Sequence, residues 1–334
     1  MTNASQSAAD GLIYYNAIYL YDSDINKPLP ASARPAKHSP MSEYAFKPLK
    51  HNPLVAALAK QALKWRTRDL QKVIFTATTG RSGTLTLAKL FATVEGCVAL
   101  HEPPPVMNGP VLEAANCGNP ALIDRVYRQI KSVNILRAAV GHRYYMEANH
   151  LFIKTFYEHA IRDFGDRLAV IHLVRPPIEV ATSIYRLEDY PGTERGNFWW
   201  LDYRAPSNLI KIADLLDWDV EFSHPFYKAL WYWHEVELRI SAWSAQMPSL
   251  HIARFETDWL NDAGRVFELL DSLGMVYDKR LVEARVGIRE HDKEEDKLRP
   301  ALLAGETQIM LDLFRQMLKS RGIDAPRDQF TSSG

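Results

Sequence analysis

The stretch Phe75–Phe91, FTATTGRSGTLTLAKLF, decides the fold. It begins inside an apolar run, KVIFTAT at 72–78, which predicts a buried strand. Small and polar residues follow, among them Gly80 and Gly83, and they predict a tight loop. Apolar residues then resume at helical spacing over 84–94. The stretch therefore predicts a strand, a glycine loop and a helix in succession.

The same alternation of strands and helices continues along the chain. Further strands are predicted at 96–102, 150–156, 167–175 and 249–255. Helices are predicted at 52–65, 84–94, 121–136, 159–165, 177–187, 227–243 and 263–274. This alternation predicts an α/β fold. We expect three layers, α/β/α, around a central parallel sheet, because the strand at 167–175 is apolar almost throughout, which is typical of strands covered on both faces.

The first 50 residues differ in composition from the rest. Tyrosines concentrate over 11–24 and prolines punctuate 26–40. This composition predicts an extended N-terminal arm over 1–50, followed by a single domain over 51–334. Two interpretations of the arm stay open. It is either a lid or an arm that reaches a partner subunit, as a homo-oligomer would allow, or a tail that lies on its own domain.

The composition argues against several classes of protein. Lys plus Arg and Asp plus Glu both number 40, so the chain lacks the basic excess of a nucleic-acid-binding protein. No apolar run approaches the ~18 residues that a membrane span needs, and the polar N-terminus does not resemble a secretory signal. Cys97 and Cys117 belong to no CxxC motif or Cys/His cluster. We therefore expect no structural zinc and a reducing, cytoplasmic location.

The predicted loop at 80–84 has the residue types of a phosphate-binding loop. Two glycines let backbone N–H groups approach an anion, Arg81 adds a cation, and Ser82 and Thr84 add hydroxyl donors. The helix that begins near Thr84 adds unpaired N–H groups and the positive end of its dipole. A Walker A loop needs a lysine after its last glycine, and Thr84 follows Gly83 here. An ordinary strand–turn–helix corner is the alternative interpretation.

A second segment carries a matching pair of polar residues. Arg175 ends the apolar strand at 167–175, and Ser183 lies two turns into the next helix. Ser183 shares a helix face with Val180 and Ile184, so its hydroxyl is predicted to point inward, where it needs a partner. A phosphate also held by Arg175 is one candidate partner. The backbone carbonyl four residues earlier is the other.

The two segments TTGRSGTLTL at 78–87 and LVRPPIEVATS at 173–183 together resemble the nucleotide-binding motifs of sulfotransferases that use 3′-phosphoadenosine 5′-phosphosulfate (PAPS). The GRSGT variant is similar to the bacterial and carbohydrate-modifying branches, and the resemblance covers about residues 70–275. It implies a P-loop NTPase-like sulfotransferase fold. It also implies transfer of a sulfuryl group, with no metal, from PAPS to a hydroxyl of a sugar, glycolipid or small molecule. One departure is Arg175-Pro176-Pro177, where the family has Arg-Asp-Pro.

The resemblance also implies which residues bind the donor. In the family the glycine loop holds the 5′-phosphosulfate, while an arginine at a strand end and a serine eight residues later hold the 3′-phosphate. The residues of this chain that match are Gly80, Arg81, Ser82, Gly83, Thr84, Leu85, Arg175 and Ser183.

A general base is expected opposite the loop, because the acceptor hydroxyl must lose its proton. The segment VALHEPPPV at 98–106 places His101 and Glu102 at the end of a strand. We predict Glu102 as the base and His101 as the second candidate, with Arg81 stabilising the charge on the leaving group. The alternative is a strand exit with a solvated carboxylate.

A weaker group of candidates follows in YMEANHLFIKT, which contains Glu147, Asn149, His150 and Lys154. The cytosolic branch of the family places its base in a Lys-Thr-His motif. Here Lys154-Thr155 is followed by Phe156, so that base is absent. A contact of Lys154 with the sulfate, and a role for His150 beside the acceptor or as the base, remain hypotheses.

Aromatic and basic residues suggest the remaining parts of a site. Trp199, Trp200 and Tyr203 are candidates for an acceptor wall, and Arg289, Lys293 and Lys297 for further 3′-phosphate contacts. The aromatic stripe on the long helix, Trp233, Val236, Ile240 and Trp243, is predicted as core. Two rival functions stay open: a small-molecule kinase that uses ATP and magnesium, and a non-catalytic nucleotide-binding protein.

Overall fold

A computed structural model describes residues 52–290, 298–324 and 326. Its centre is a five-stranded parallel sheet in the order β2-β3-β1-β4-β5. The strands are β1 Lys72–Ala77, β2 Cys97–His101, β3 Tyr144–Ala148, β4 Leu168–Val174 and β5 His251–Glu256. Because every pairing is parallel, all five strands end at the same edge of the sheet.

The central strand shows why the sheet is covered on both faces. All side chains from Val73 to Ala77 are buried. Phe75 and its neighbours two residues away belong to one apolar cluster, whereas Ile74 belongs to a second cluster. Side chains on a strand alternate between faces, so the two clusters lie on opposite sides of the sheet. The predicted three-layer α/β/α fold with a central parallel sheet is confirmed.

Helices occupy most of the chain between the strands. Those of the described part are α1 Pro53–Arg66, α2 Thr84–Phe91, α3 Pro110–Asn116, α4 Pro120–Val126, α5 Ser132–Ala138, α6 Tyr157–Phe164, α7 Pro177–Arg186, α8 Glu194–Trp199, α9 Ala213–Trp218, α10 Pro225–Gln246, α11 Ala263–Ser272, α12 Lys279–Glu283 and α13 Ala304–Ser320. The predicted helix at 121–136 is helical throughout, but a π-helical turn at Tyr127–Lys131 separates α4 from α5.

The long helix α10 forms the centre of the larger apolar cluster. Its predicted core stripe, Trp233, Val236, Ile240 and Trp243, is buried as expected. The smaller cluster on the other face includes Leu87 and Phe91 of α2 and Val266 of α11. Helices α2 and α10 therefore lie on opposite faces of the sheet.

The prediction of a strand at 150–156 is wrong. The strand lies six residues earlier, as β3, and Phe152–Phe156 forms a π-helical turn that leads into α6. The buried Glu147 made the true strand read as partly polar, because the cation that pairs with it lies on another element. Lys131 donates a hydrogen bond of 2.6 Å to Glu147 Oε1.

The predicted N-terminal arm, 1–50, lies outside the described residues. Within the described ranges, no helix has the length and apolar content required to cross a membrane.

Candidate active site

The loop between β1 and α2 has an unusual backbone that explains its glycines. Gly80, Arg81 and Gly83 have φ values of 84°, 56° and 78°. The left-handed region is open to glycine but costs other residues about 1–2 kcal/mol, so Arg81 occupies a strained position. Thr78 Oγ1 and the buried Ser82 Oγ lie 2.5 Å apart across the turn. The Ser82 hydroxyl therefore contacts another hydroxyl of the same loop.

Close packing gives a second reason for glycine at position 80. A Cβ atom there would lie 3.1 Å from both His150 Cγ and Trp200 Cζ3. The loop backbone is thus pressed against the side chains that follow β3 and end α8. A methyl group at this position would push the loop away from them.

Arg81 joins the two sequence motifs. Its Nε donates a hydrogen bond of 2.9 Å to Ser183 Oγ on α7. Its backbone carbonyl accepts a hydrogen bond of 2.7 Å from Arg175 Nη1, and Arg175 Nε also bonds Glu179 Oε2 at 2.8 Å. Ser183 points toward the loop, and its partner is an arginine of that loop rather than the backbone carbonyl four residues earlier. Two guanidinium groups and a hydroxyl therefore meet at the carboxyl edge of β1 and β4.

Residues from later in the chain brace this edge. Thr257 Oγ1 lies 3.0 Å from the carbonyl oxygens of both Ser82 and Val174. The backbone N–H of Glu290 donates a bond of 3.3 Å to Thr86 Oγ1, which brings the segment containing the exposed Arg289 against α2. The other two basic candidates, Lys293 and Lys297, lie outside the described residues.

His101 and Glu102 lie next to the loop, although β3 separates β2 from β1 in the sheet. His101 Nε2 is 3.0 Å from Thr84 Oγ1 at the start of α2. Glu102 has a φ of 46°, and its Oε1 lies 3.4 Å from His150 Nε2 and 3.9 Å from His101 Nε2. The structure thus brings the base candidates and the loop together.

The Glu102 carboxyl group has a raised pKa. Burial is the largest cause and raises its pKa to about 7, while the positive charge of Lys154 is the largest opposing effect. A carboxylate with a pKa near neutrality is a stronger base than an exposed one and is still deprotonated in part at neutral pH.

A buried chain of polar groups runs from Glu102 into the protein. His150 Nδ1 lies 2.6 Å from Lys154 Nζ, and Lys154 Nζ donates a bond of 2.6 Å to the hydroxyl of Tyr232. Tyr232 in turn donates a short hydrogen bond to the carbonyl oxygen of Thr79 in the loop. Lys154 is therefore hydrogen-bonded to His150 and Tyr232. Tyr232 was not among the predicted site residues, because it lies within a helix of core aromatics.

A second buried network holds the segment that follows Glu102. Lys131 Nζ donates to Glu147 Oε1 at 2.6 Å and to the carbonyl oxygen of Pro103 at 3.1 Å. Tyr145 donates to Glu147 Oε2 at 2.6 Å, and Asn149 Nδ2 donates to Glu147 Oε1 at 2.8 Å. Lys131 was not among the predicted site residues, because it lies in the π-helical turn Tyr127–Lys131, on a different element from Glu147 and Pro103. Glu147 and Asn149 are therefore buried members of this network rather than exposed groups.

The three aromatic candidates occupy different environments. Trp199 is half-buried and Trp200 is buried, and their rings lie 6.1 and 5.1 Å from that of His150. Tyr203 is buried in the larger apolar cluster, and its hydroxyl donates to Asp217 Oδ1 at 2.5 Å. The prediction that Tyr203 lines an acceptor wall is wrong, because its ring packs in the core.

Within 52–290 and the described C-terminal residues, no group of three or more His, Cys, Asp or Glu side chains is placed to hold a metal ion.

Comparisons with known proteins give structural matches alone. No family model and no curated protein matches the chain. Eleven chains of solved structures match, among them the following three, each with probability 1.00. The sulfotransferase domain from the curacin biosynthetic pathway is 15% identical with a TM-score of 0.42, over 77% of this chain and 99% of that one. The sulfotransferase domain of the Synechococcus PCC 7002 olefin synthase is 16% identical with a TM-score of 0.41, over 76% and 95%.

The third match is a sulfotransferase from Alicyclobacillus acidocaldarius, 15% identical with a TM-score of 0.38, over 75% of this chain and 96% of that one. All three matched chains are sulfotransferases.

Proposed function

We propose that this protein is a PAPS-dependent sulfotransferase. The observation that carries the proposal is the contact between Arg81 Nε and Ser183 Oγ, 2.9 Å long, with Arg175 Nη1 on the carbonyl oxygen of Arg81. Two motifs about a hundred residues apart, each suited to a phosphate, meet at one edge of the sheet. A donor with phosphates at both its 5′ and 3′ ends fits such a double anion site.

The donor would lie across this edge. The backbone of 80–84 and the start of α2 supply N–H groups for the 5′-phosphosulfate, and Leu85 lies in the first turn of that helix. Arg81 stabilises the negative charge that the leaving phosphate gains during transfer. Arg175 and Ser183 bind the 3′-phosphate, for which a guanidinium and a hydroxyl are suitable partners.

Glu102 is the proposed general base. It accepts the proton of the acceptor hydroxyl while that oxygen attacks the sulfur and the bond from sulfur to the nucleotide phosphate breaks. His101 is the second candidate, because its Nε2 lies 3.0 Å from Thr84 Oγ1 beside the loop. The acceptor would carry a hydroxyl, on a sugar, a glycolipid or a small molecule, and would lie against the half-buried Trp199.

Calorimetric binding of 3′-phosphoadenosine 5′-phosphate tests the donor site. We expect metal-independent binding that is at least about tenfold tighter than binding of AMP, because the 3′-phosphate adds charge-assisted hydrogen bonds. The control is Arg265→Ala, at an exposed ion pair with Glu268. It should bind as the wild type does.

A preference for magnesium-ATP would overturn the proposal in favour of a kinase. Tight binding without turnover on any hydroxylated acceptor, and indifference to Glu102→Gln, would favour a non-catalytic nucleotide-binding protein.

A further inference from the structure

His150, Lys154 and Tyr232 form a hydrogen-bonded line that ends at the candidate donor loop and approaches the candidate base at its other end. The line starts at Glu102 Oε1, 3.4 Å from His150 Nε2, and ends at the carbonyl oxygen of Thr79. Its three members are 4%, 4% and 0% exposed, so water does not compete for these contacts. Three elements contribute to the line: the loop that follows β3, the π-helical turn after it, and α10.

Burial lowers the pKa of Lys154 well below its ordinary value, and the charge of Glu102 opposes that effect. With Lys154 taken as an ammonium, the protons along this line can be assigned from the donors. A lysine ammonium donates hydrogen bonds and accepts none. Lys154 Nζ has three neighbours in hydrogen-bond range: the Tyr232 hydroxyl at 2.6 Å, the carbonyl oxygen of Trp199 at 3.3 Å, and His150 Nδ1 at 2.6 Å. Three acceptors match the three N–H groups of the ammonium. Tyr232 uses its own proton on Thr79, so it receives one from Lys154.

With Lys154 as an ammonium, the same reasoning assigns the tautomer of His150. Its Nδ1 accepts from Lys154, so the single ring proton of the neutral imidazole is on Nε2. That proton faces Glu102 Oε1. Burial and the charge of Lys154 keep the pKa of His150 well below its ordinary value, which agrees with a neutral ring.

We propose that His150, Lys154 and Tyr232 are positioning residues that hold the Glu102 carboxylate in a fixed place relative to the backbone of the donor loop. This inference rests on the proposed function, in which Glu102 is the base. We call the line formed by His150, Lys154 and Tyr232 the relay. In this proposal it acts on neither the donor nor the acceptor directly. It acts through Glu102, whose deprotonated form is proposed to accept a hydrogen bond from His150 Nε2, 3.4 Å from its Oε1, and through Thr79, which anchors the loop.

The charges around Glu102 set the direction of the expected pH effect. The groups that face it are Lys154, Glu147, Lys131, Arg81, His101 and His150. A hydrogen bond from His150 Nε2–H stabilises the carboxylate and lowers the pKa of Glu102. Removal of that donor therefore raises the pKa of Glu102, and the acidic limb of the pH–rate profile moves to higher pH.

Two substitutions of His150 separate positioning from packing. An asparagine can present its amide near the place of Nδ1, next to Lys154, but it is too short to reach Glu102. A glutamine can place its amide N–H near the position of Nε2. We expect His150→Asn to lower kcat about tenfold or more and to move the acidic limb up by about one pH unit. His150→Gln should return the limb toward the wild-type position. Binding of 3′-phosphoadenosine 5′-phosphate should change less than about threefold in both variants.

The far end of the relay has its own test. Tyr232→Phe removes both the acceptor for Lys154 and the donor to Thr79 while it keeps the ring in the core. We expect a kcat loss with a displaced acidic limb as well. If the acidic limb of the pH–rate profile stays in place in both His150→Asn and Tyr232→Phe while bisphosphate binding is intact, the relay is overturned. The proposed function would still stand.

A readout without any substrate keeps the relay testable if no donor binds. Nitrogen-15 NMR of labelled histidines, with the His150 signal assigned by its loss in His150→Gln, reports the tautomer directly. We expect a neutral ring protonated at Nε2 from pH 5 to pH 8. A ring protonated at Nδ1, or one that titrates near pH 6.5, would overturn the relay whether or not the protein transfers sulfate.

Discussion

Arg81 Nε lies 2.9 Å from Ser183 Oγ, and this hydrogen bond joins the loop after the central strand to the helix after β4. The two residues are 102 positions apart in the sequence. Arg81 has a left-handed backbone conformation, with a φ of 56°, and this conformation costs an arginine about 1–2 kcal/mol. Strain of this kind persists where the surrounding structure enforces it, and it concentrates at functional sites.

Replacement of Arg81 tests its proposed role on the leaving group. Arg81→Ala should reduce donor-dependent turnover by about a hundredfold or more, because loss of one transition-state donor has an effect of that size. Arg81→Lys keeps the charge but loses the planar donor to Ser183, so its turnover should lie between that of the wild type and that of Arg81→Ala. The measurement is the initial rate at saturating donor. Wild-type turnover in Arg81→Ala would refute the role.

Replacement of Glu102 tests the base. Glu102→Gln has the same shape but cannot accept a proton, so turnover should fall by about 10²–10⁴-fold. In the wild type, kcat/KM should rise with pH and level off above about pH 7, since the pKa of Glu102 is about 7 and the carboxylate is the active form. A profile that is flat from pH 5 to pH 9, or an active Glu102→Gln variant, would remove Glu102 from the mechanism.

The same raised pKa predicts an effect on stability. The folded protein keeps a proton on Glu102 up to about pH 7, whereas the unfolded chain loses it near 4.5. Stability therefore declines as pH rises through this window and stays lower above it. The neutral Glu102→Gln avoids this cost, so its free energy of unfolding should exceed that of the wild type by up to about 3 kcal/mol at pH 8. At pH 4 the two should agree within error. Urea unfolding at both pH values measures the difference, and an equal difference at pH 4 and pH 8 would contradict the pKa assignment.

The strand–loop–helix unit around Gly80 was predictable because its information is local. Glycines, a cation and the return of helical spacing all fall within Phe75–Phe91. The sequence predicted that Arg81 and Ser183 bind the same donor, but it did not predict a contact between them. The direct bond between them depends on the packing of α7 against the edge of the sheet, which the spacing of residues does not encode.

The polar core beneath the site was not predictable from local pattern. Lys131 and Tyr232 lie within predicted helices, and their hydrogen-bond partners Glu147 and Lys154 lie on other elements, so no local pattern marks them as buried polar groups. The strand β3 was misplaced for the same reason. A buried carboxylate in a strand becomes acceptable only when a distant lysine neutralises it.

The backbone of Gly80 offers a test of the loop that needs no substrate. Gly80→Ala adds left-handed strain and a Cβ atom 3.1 Å from His150 and Trp200. Gly118→Ala is the matched control, since Gly118 also has a positive φ, 67°, but no atom within 4 Å of the added Cβ. The control should lose about 1–2 kcal/mol of unfolding free energy from strain alone. Gly80→Ala should lose more and should also weaken bisphosphate binding. Equal losses would show that the packing of Gly80 against His150 and Trp200 has no energetic weight.

The buried pair of Lys131 and Glu147 supports the segment that carries Glu102. Lys131→Met leaves the Glu147 carboxylate buried beside Tyr145 without its counter-charge, and such losses cost about 3–5 kcal/mol of unfolding free energy. The double variant Lys131→Met/Glu147→Gln removes both charges, so it should recover a large part of that loss. An exposed pair such as Arg265 and Glu268 should give less than about 1 kcal/mol when Arg265 is replaced by methionine. Denaturant unfolding of the wild type and these three variants measures the differences. If the double variant is no more stable than Lys131→Met alone, the cost comes from lost packing of the lysine stem and not from the stranded carboxylate.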